Sequence, residues 1–438
     1  MKSHFIRSQL SSVKTVIQRG AFHIIIASFI EKFVALFGSI FVVRFLTKEA
    51  YSVFTYAYNI YSYALLAMGL GLSYGILRYV LLYNKKEKKM GCVNYAIKFG
   101  TIVNIGITLV TIIIAVFYVY PMGYEEAELL VVLMALSVPF KHLFTVMIFT
   151  NRAMMDAKRY AAYSLINSTI VILARAVSAY FGNLLIITIS YVICEAIMSV
   201  VTYYIEKNHY FRSCIEESMN ISEKKSMLSY SVLYMLTNGI WTMFMLNETT
   251  MLGRLSTNVS AVADYKVAYT IPACLLIFTT AIGIFVGPYF TKWDKEGDHK
   301  SIFKGYSYTL LFGIGFMLFA VFCIIAFGST LIPLFFGEKY ANVIDLTNIL
   351  LFAALANSVR SLIANIFASV GRIKVNMIIA ISGMVLQIIL GSTIIPIYGS
   401  YGLAYMDIII YSLMAISELI FSFYIIKKMR KVRAIPNG

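Results

Sequence analysis

A few ionisable side chains stand inside stretches otherwise too apolar to hold them. The first half of the chain has Glu31, Lys32, Lys98, Lys141, Arg175 and Glu195; the second has Glu248, Arg360, Asp407 and Glu418. Each costs about 2.5–3.5 kcal/mol at the centre of a bilayer, so such groups face a wet cavity or a partner. Arg175, Arg360, Lys141 and Lys98 are the candidates for a cationic lining at the seam between the two halves. Lys141 and Arg360 fall on the fourth helix of their respective halves, and Arg175 lies about 10 Å below the turn at Gly182. Glu31, Glu195 and Asp407 are candidates for binding a coupling cation, a proton or sodium. Blander roles compete. Lys98 can snorkel to the interface, Arg175 can pair with Glu195, and Glu31 and Lys32 can neutralise each other.

Composition explains why these residues stand out. The 438 residues are 60% hydrophobic and 13% charged, with a mean hydropathy of +0.79. A soluble chain cannot hide that much apolar surface, so an integral membrane protein is expected. Its net charge of +16 sits in short connections, which argues for orientation beside anionic lipid and against a nucleic-acid partner. Five cysteines and five histidines show no ligand spacing, so neither a metal site nor a cofactor is expected.

The elements that must position the charges are all-α. Spans are expected at about 21–46, 51–82, 92–119, 127–151, 160–181, 184–205, 228–252, 264–290, 304–334, 343–369, 374–395 and 401–426, each long enough for about 30 Å of hydrocarbon. Every second connection is basic, as in Lys85–Lys89, Arg152–Arg159, Thr291–Lys304 and Gly371–Lys374. The alternate ones are not: Pro121–Glu128 holds three glutamates, and Gly182-Asn183 carries no charge. Both termini are therefore expected on the cytosolic side. A shift of 214 superimposes loop on loop throughout, carrying Tyr51 to Tyr265, Gly69 to Gly283, Asn151 to Asn365 and Tyr191 to Tyr405. Six spans separate equivalent points, which predicts two parallel six-helix repeats. The expected organisation is a cytosolic amphipathic helix over 1–20, an N-terminal bundle over 21–205, a polar linker over 206–227, a C-terminal bundle over 228–426 and a basic tail over 427–438. Pro139, Pro272, Pro288, Pro333 and Gly69-Leu70-Gly71 mark candidate kinks.

Several motifs extend over almost the whole chain. They include Arg44-Phe-Leu-Thr-Lys-Glu-Ala-Tyr51, Gly69-Leu-Gly-Leu-Ser-Tyr-Gly-Ile-Leu-Arg78, Asp264-Tyr-Lys-Val-Ala-Tyr269 and Gly287-Pro-Tyr-Phe290. Leu334-Phe-Phe-Gly-Glu-Lys-Tyr340, Gly371-Arg372 and Ile395-Pro-Ile-Tyr-Gly-Ser-Tyr-Gly-Leu-Ala404 follow. In order and spacing they resemble the polysaccharide transporter (Wzx-type flippase) family of the multidrug/oligosaccharidyl-lipid/polysaccharide exporter superfamily. Ser52 stands where that pattern usually has glycine. The resemblance implies a V-shaped pair of six-helix bundles around a central cationic cavity. It also implies a flippase that moves an undecaprenyl-pyrophosphate-linked oligosaccharide to the outer leaflet of the bacterial cytoplasmic (inner) membrane, working beside polysaccharide polymerase machinery. A sugar headgroup needs a polar passage and a pyrophosphate needs arginine or lysine.

No catalytic constellation and no GxxxxGK[ST] motif occur, so a non-enzymatic transporter is expected. The alternatives are a multidrug–cation antiporter of the same superfamily, a peptidoglycan-precursor flippase, and a membrane glycan polymerase, which the short external connections disfavour.

Overall fold

The computed structural model describes residues 21–119, 124–212 and 214–432. The amphipathic helix expected over 1–20 and residues 433–438 of the tail lie outside the described residues. The described residues form helices and no strands. In order these are α1 (Ala21–Phe45), α2 (Lys48–Ala67), α3 (Leu72–Leu82), α4 (Lys86–Ile114), α5 (Glu125–Ala135), α6 (Val138–Ala153), α7 (Ala157–Ala179), α8 (Leu184–Phe211), α9 (Ile221–Leu255), α10 (Ala261–Lys295), α11 (His299–Phe336), α12 (Ile344–Ser369) and α13 (Ile373–Val432). The turn at Gly69–Gly71 interrupts α2–α3, α5 and α6 meet at a bend of 42°, and α13 is kinked at Gly399. Among the described residues, eight stretches are long and apolar enough by themselves to span a bilayer, and nine if the bent α5–α6 pair is taken as one span. The chain has a membrane-protein fold.

Side chains define the helix ends. Thr47 accepts from the Ala50 N–H at 3.1 Å, Asp156 from Arg159 at 3.1 Å, Asn183 from Leu185 at 2.8 Å and Asp298 from Ser301 at 3.1 Å. Each satisfies a donor that the first turn of a helix leaves orphaned. Asn220 and Glu223 form a reciprocal pair at the start of α9, both bonds 2.8 Å. Outward faces are apolar in the manner of lipid-facing surfaces: on α1, Phe33, Phe37, Phe41 and Phe45 repeat every four residues and all stand half exposed.

The break between α2 and α3 is the Gly69-Leu70-Gly71 turn that the sequence marked as a kink. All three residues are left-handed, with φ of 56°, 48° and 72°. The freed Gly69 N–H donates to Asn104 Oδ1 at 2.8 Å. A Cβ on Gly69 would stand 2.2 Å from the His142 ring, so the glycine serves both the turn and the close approach of α6.

Two compact units divide at Gly239–Ile240, inside α9 and not in the 206–227 linker. In the N-terminal unit, α1 packs along α7, α7 against α8, and α8 against α6. Much of the polar run is itself helical, since α8 continues to Phe211 and α9 starts at Ile221. The intervening strap is fastened to α4. Glu216 accepts from Asn94 Nδ2 at 2.8 Å and lies 3.7 Å from Lys98, Lys88 bridges Glu223 at 3.0 Å and Glu217 at 3.6 Å, and the Glu217 N–H donates to the Glu87 carbonyl at 3.2 Å. Met219 and Met227 are buried beneath it. In the C-terminal unit, α12 packs against α10, α11 and α13.

Candidate functional site

A cavity of about 370 Å³ opens within the N-terminal unit. Three helices line it at helical spacing: α1 with Ala35, Gly38, Ser39 and Val42, α2 with Tyr51, Phe54, Thr55 and Tyr58, and α7 with Asn167, Ser168, Val171, Ile172 and Arg175. Lys141 of α6 and Tyr191 and Glu195 of α8 complete the wall. Of the residues singled out from sequence, Arg175, Lys141 and Glu195 are brought together here.

Arg175 is held by rings. Its guanidinium carbon lies 4.2 Å from the centroid of Tyr191, 4.6 Å from Tyr58 and 5.9 Å from Phe54. A desolvated cation over an aromatic face gains about 2 kcal/mol, which offsets part of the cost of keeping the charge in the bundle. Tyr191 is fixed in turn. Its hydroxyl shares a 2.9 Å hydrogen bond with Tyr61, which shares another of 2.7 Å with Ser137 Oγ. The Arg175–Glu195 pair that the sequence allowed is not the one formed: Glu195 pairs with Lys141. Glu195 is fully buried, while the Lys141 side chain keeps 27% of its surface exposed. Two cations and one carboxylate therefore give the wall a net charge of +1.

The other sequence candidates lie elsewhere. Lys98 is 74% exposed and bridges Glu216 of the strap, so it serves the strap and not the cavity. Glu31 is on α1, away from the lining, with one carboxylate oxygen buried and unpartnered. Arg360 belongs to the C-terminal unit, 3.7 Å from the centroid of Trp241, donating to Asn357 Oδ1 at 2.9 Å and 3.9 Å from Glu418. Asp407 is buried in the same unit and accepts from Tyr265 at 2.5 Å; nearby, Tyr411 donates to Glu248 at 2.5 Å. Lys266 acts electrostatically on both carboxylates. Among the described residues, no group of three His, Cys, Asp or Glu side chains is placed to hold a metal ion.

Sequence reasoning missed Tyr58 and Asn167, and it noted Tyr191 only as a repeat match. The signal was present: Tyr51, Phe54, Thr55 and Tyr58 form one helical stripe mixing aromatic and hydroxyl groups, in a crossing where a lipid face would be plain hydrocarbon.

A family model described as "Polysaccharide biosynthesis protein" matches residues 17–294. An uncharacterized membrane protein of Methanocaldococcus jannaschii is 24% identical over 249 residues, 55% of this chain and 48% of that protein. The chain thus matches about half the length of that curated relative. Among solved structures, the inward-facing conformation of a multidrug resistance MATE family transporter of the MOP superfamily is similar, with a TM-score of 0.72 at 13% identity, covering 92% of this chain and 96% of that one. The lipid II flippase MurJ in an inward closed conformation matches with a TM-score of 0.73 at 14% identity, covering 91% and 87%. At such identities the likeness is one of fold.

Proposed function

Because the chain belongs to the polysaccharide biosynthesis protein family, we propose that it is a flippase for a polyprenyl-pyrophosphate-linked oligosaccharide. It moves this lipid from the inner to the outer leaflet of a bacterial cytoplasmic membrane by alternating access, without chemistry on the substrate. Support comes above all from Arg175, a cation held on the faces of Tyr58 and Tyr191 beside the Lys141–Glu195 pair. Stacked there it is positioned without being neutralised by a carboxylate, so its charge is available to a pyrophosphate. The polyprenyl tail needs no site of its own, since it stays in lipid. The alternation of basic connections with acidic or uncharged ones supports cytosolic termini, and membrane lipids and a glycan polymerase are the expected neighbours.

The buried carboxylates of the C-terminal unit support a coupling role. Lys266 acts electrostatically on both Asp407 and Glu248, and one lysine can offset the charge of only one of them, so the other is a place for a proton or a sodium ion. Entry of that cation would drive the conformational cycle; a potential of 100 mV supplies about 2.3 kcal/mol per charge moved.

A multidrug–cation antiporter would want an acidic drug cavity, whereas the cavity wall here is net cationic. A peptidoglycan-precursor flippase shares the pyrophosphate chemistry, so substrate tests must separate it. Purified protein in liposomes carrying a fluorescent polyprenyl-pyrophosphate oligosaccharide should expose the label to an external quencher. Arg175→Ala should slow that exposure at least about tenfold, the equivalent of one charge-assisted hydrogen bond. Unchanged flipping in Arg175→Ala removes the site; no flipping of such lipids by the wild type removes the function.

A further inference from the structure

We propose that a pocket at one end of the C-terminal unit, walled by Ser256–Asn258, Asp264, Asn342 and Tyr398–Tyr401, binds uncharged sugars of an oligosaccharide on the outer face of the membrane. Its role as an exit station for a transported glycan rests on the flippase reading above; the sugar binding itself does not.

The pocket has a volume of about 330 Å³, at the small end of ligand sites and with room for a sugar ring or two. Separate segments of the unit meet around it: Ser256, Thr257 and Asn258 between α9 and α10, Asn342 in the short helical turn Glu338–Val343 before α12, and the kink of α13. These segments are ordered by their own bonds. Ser256 Oγ accepts from the Asn258 N–H at 3.2 Å, and Asn258 Oδ1 accepts from the Ser260 N–H at 2.9 Å. At the kink, Gly399 has a φ of 55°, which strains any residue with a side chain. A Cβ on Gly402 would stand 2.8 Å from the Ile394 carbonyl, whereas eight positions of straight helix span about 12 Å. The chain therefore turns sharply here, and Tyr398 is left 62% exposed at the pocket.

The chemistry of the wall selects the ligand. Hydroxyl and carboxamide side chains make up most of it, and Asp264 carries the only charge among its described residues. Asp345, on the first turn of α12, acts electrostatically on Tyr401 together with Asp264, so that ring lies in the field of two carboxylates. A phosphate or an acidic sugar is repelled there. An acyl chain would leave the amides and hydroxyls unpaired. A small organic cation would answer Asp264 but not the wall of hydroxyls and carboxamides. A neutral sugar answers all of it. Its hydroxyls both donate and accept, as Asn, Ser and Thr side chains do, a carboxylate takes two of them in charge-assisted bonds, and its C–H face packs on an exposed tyrosine ring. The charge rule places the pocket outside. Residues 255–261 and 395–401 hold no lysine or arginine, whereas the opposite end of the unit carries Lys292, Lys295, Lys300, Arg372 and Lys374. A transported glycan emerges on that side, and its distal sugars are held there while the tail settles into the outer leaflet.

Cysteine protection in right-side-out membrane vesicles tests this. Thr257→Cys, at the rim, should react with a membrane-impermeant maleimide, and maltotriose or N,N′-diacetylchitobiose should slow that labelling in a saturable way. Protection by the free sugars assigns the site to any neutral glycan outside. Protection only by the same sugars carried on farnesyl pyrophosphate assigns it to the headgroup of a membrane-tethered lipid. In the Thr257→Cys background, Asp264→Asn should raise the half-protecting sugar concentration about tenfold, the worth of one charge-assisted hydrogen bond. Tyr398→Ala should raise it about fivefold, and its exposed side chain keeps the test open should the Asp264 variant fail to fold. The site is overturned by no protection from either form, by equal protection in both variants, or by a chondroitin disaccharide or choline protecting as well as the neutral sugars. Labelling only after the vesicles are opened overturns its placement outside. Flipping enters none of these readings, so loss of the site leaves the flippase standing, and protection in a protein that flips no lipid removes the exit role and the flippase reading while the sugar site stays.

Discussion

The guanidinium of Arg175 stands 4.2 Å over the ring of Tyr191, and that ring is anchored through its hydroxyl to Tyr61 at 2.9 Å. The stacking, not an ion pair, sets where the cavity's cation points. Removing the ring should therefore hurt more than removing the hydroxyl. Tyr191→Leu should lower affinity for a prenyl pyrophosphate about tenfold, whereas Tyr191→Phe should keep most of it, consistent with about 2 kcal/mol for a desolvated cation–π contact. Isothermal titration of the two variants checks this. Equal losses would assign the role to the hydroxyl chain.

Lys141 and Glu195 are an ion pair in which one member is fully buried. Breaking such a pair from one side leaves an uncompensated charge and costs about 3–5 kcal/mol, while replacing both members is often close to neutral. Lys141→Met should accordingly lower the melting temperature of the purified protein markedly. Lys141→Met/Glu195→Gln should recover most of the loss without recovering lipid binding. A double variant as unstable as the single one would mean that Lys141 stabilises through its methylenes instead.

The ion pairs that fasten the strap should make its docking depend on pH. Burial pushes the Glu223 carboxyl up, but the hydrogen bonds from the Asn220 N–H, Lys88 and Tyr83 outweigh it, and the net position is below the ordinary 4.5. Lys88 is held above its ordinary 10.5 chiefly by its hydrogen bond to Glu223. A depressed carboxyl stabilises above its unfolded value and loses that contribution as pH falls through the folded value; a raised lysine stabilises below its unfolded value and loses it as pH rises through the folded one. Docking of the strap on α4 should thus be constant from about pH 5 to 10 and weaken on either side. A spin label at Ser218 should gain mobility below about pH 4, and in Glu223→Gln should already be mobile at pH 7. A label equally mobile at every pH would mean that the strap is not held by these charges.

Gly69 should resist substitution for two separate reasons. Its φ of 56° strains any other residue, and a Cβ would meet the His142 ring at 2.2 Å. Gly69→Ala should cost about 2–4 kcal/mol in thermal or denaturant unfolding, combining backbone strain with overpacking. His142→Ala should relieve the steric share, making the double variant less damaged than the two single losses predict.

The spans, the bend at Gly69–Gly71 and the charged residues inside the spans were legible in the sequence because hydrophobic period, turn residues and the cost of buried charge act locally. Partner choice was not. Glu195 was as compatible with Arg175 on the adjoining helix as with Lys141 two helices earlier, and only the packing of α6 against α8 decides between them. Lys98 has the same local signature as Lys141, yet it lies on the face of α4 that meets the strap. The 214-residue repeat was also a poor guide to function. It carries Lys141, Arg175 and Glu195 onto Leu355, Ile389 and Ile409, so the backbone pattern is duplicated and the cationic wall is not.

The coupling role proposed for the second half is tested at Asp407. Both of its neighbouring carboxyl-bearing contacts are tyrosine-donated, from Tyr265 to Asp407 and from Tyr411 to Glu248, and Asp407 Oδ1 has no hydrogen-bonding partner. Tyrosine donors stabilise a carboxylate without neutralising it, and Lys266 can balance only one of the two. If the remaining charge takes up the coupling cation, Asp407→Asn should remove the dependence of flipping rate on an imposed proton or sodium gradient. Affinity for the lipid at the N-terminal cavity should stay within about twofold, since the variant leaves that cavity untouched. Quencher-accessible label, followed in liposomes with and without each gradient, reads both quantities. A variant that still responds to the gradient would move the coupling site away from Asp407, and a wild type indifferent to both gradients would leave the membrane potential acting on the headgroup charge as the drive.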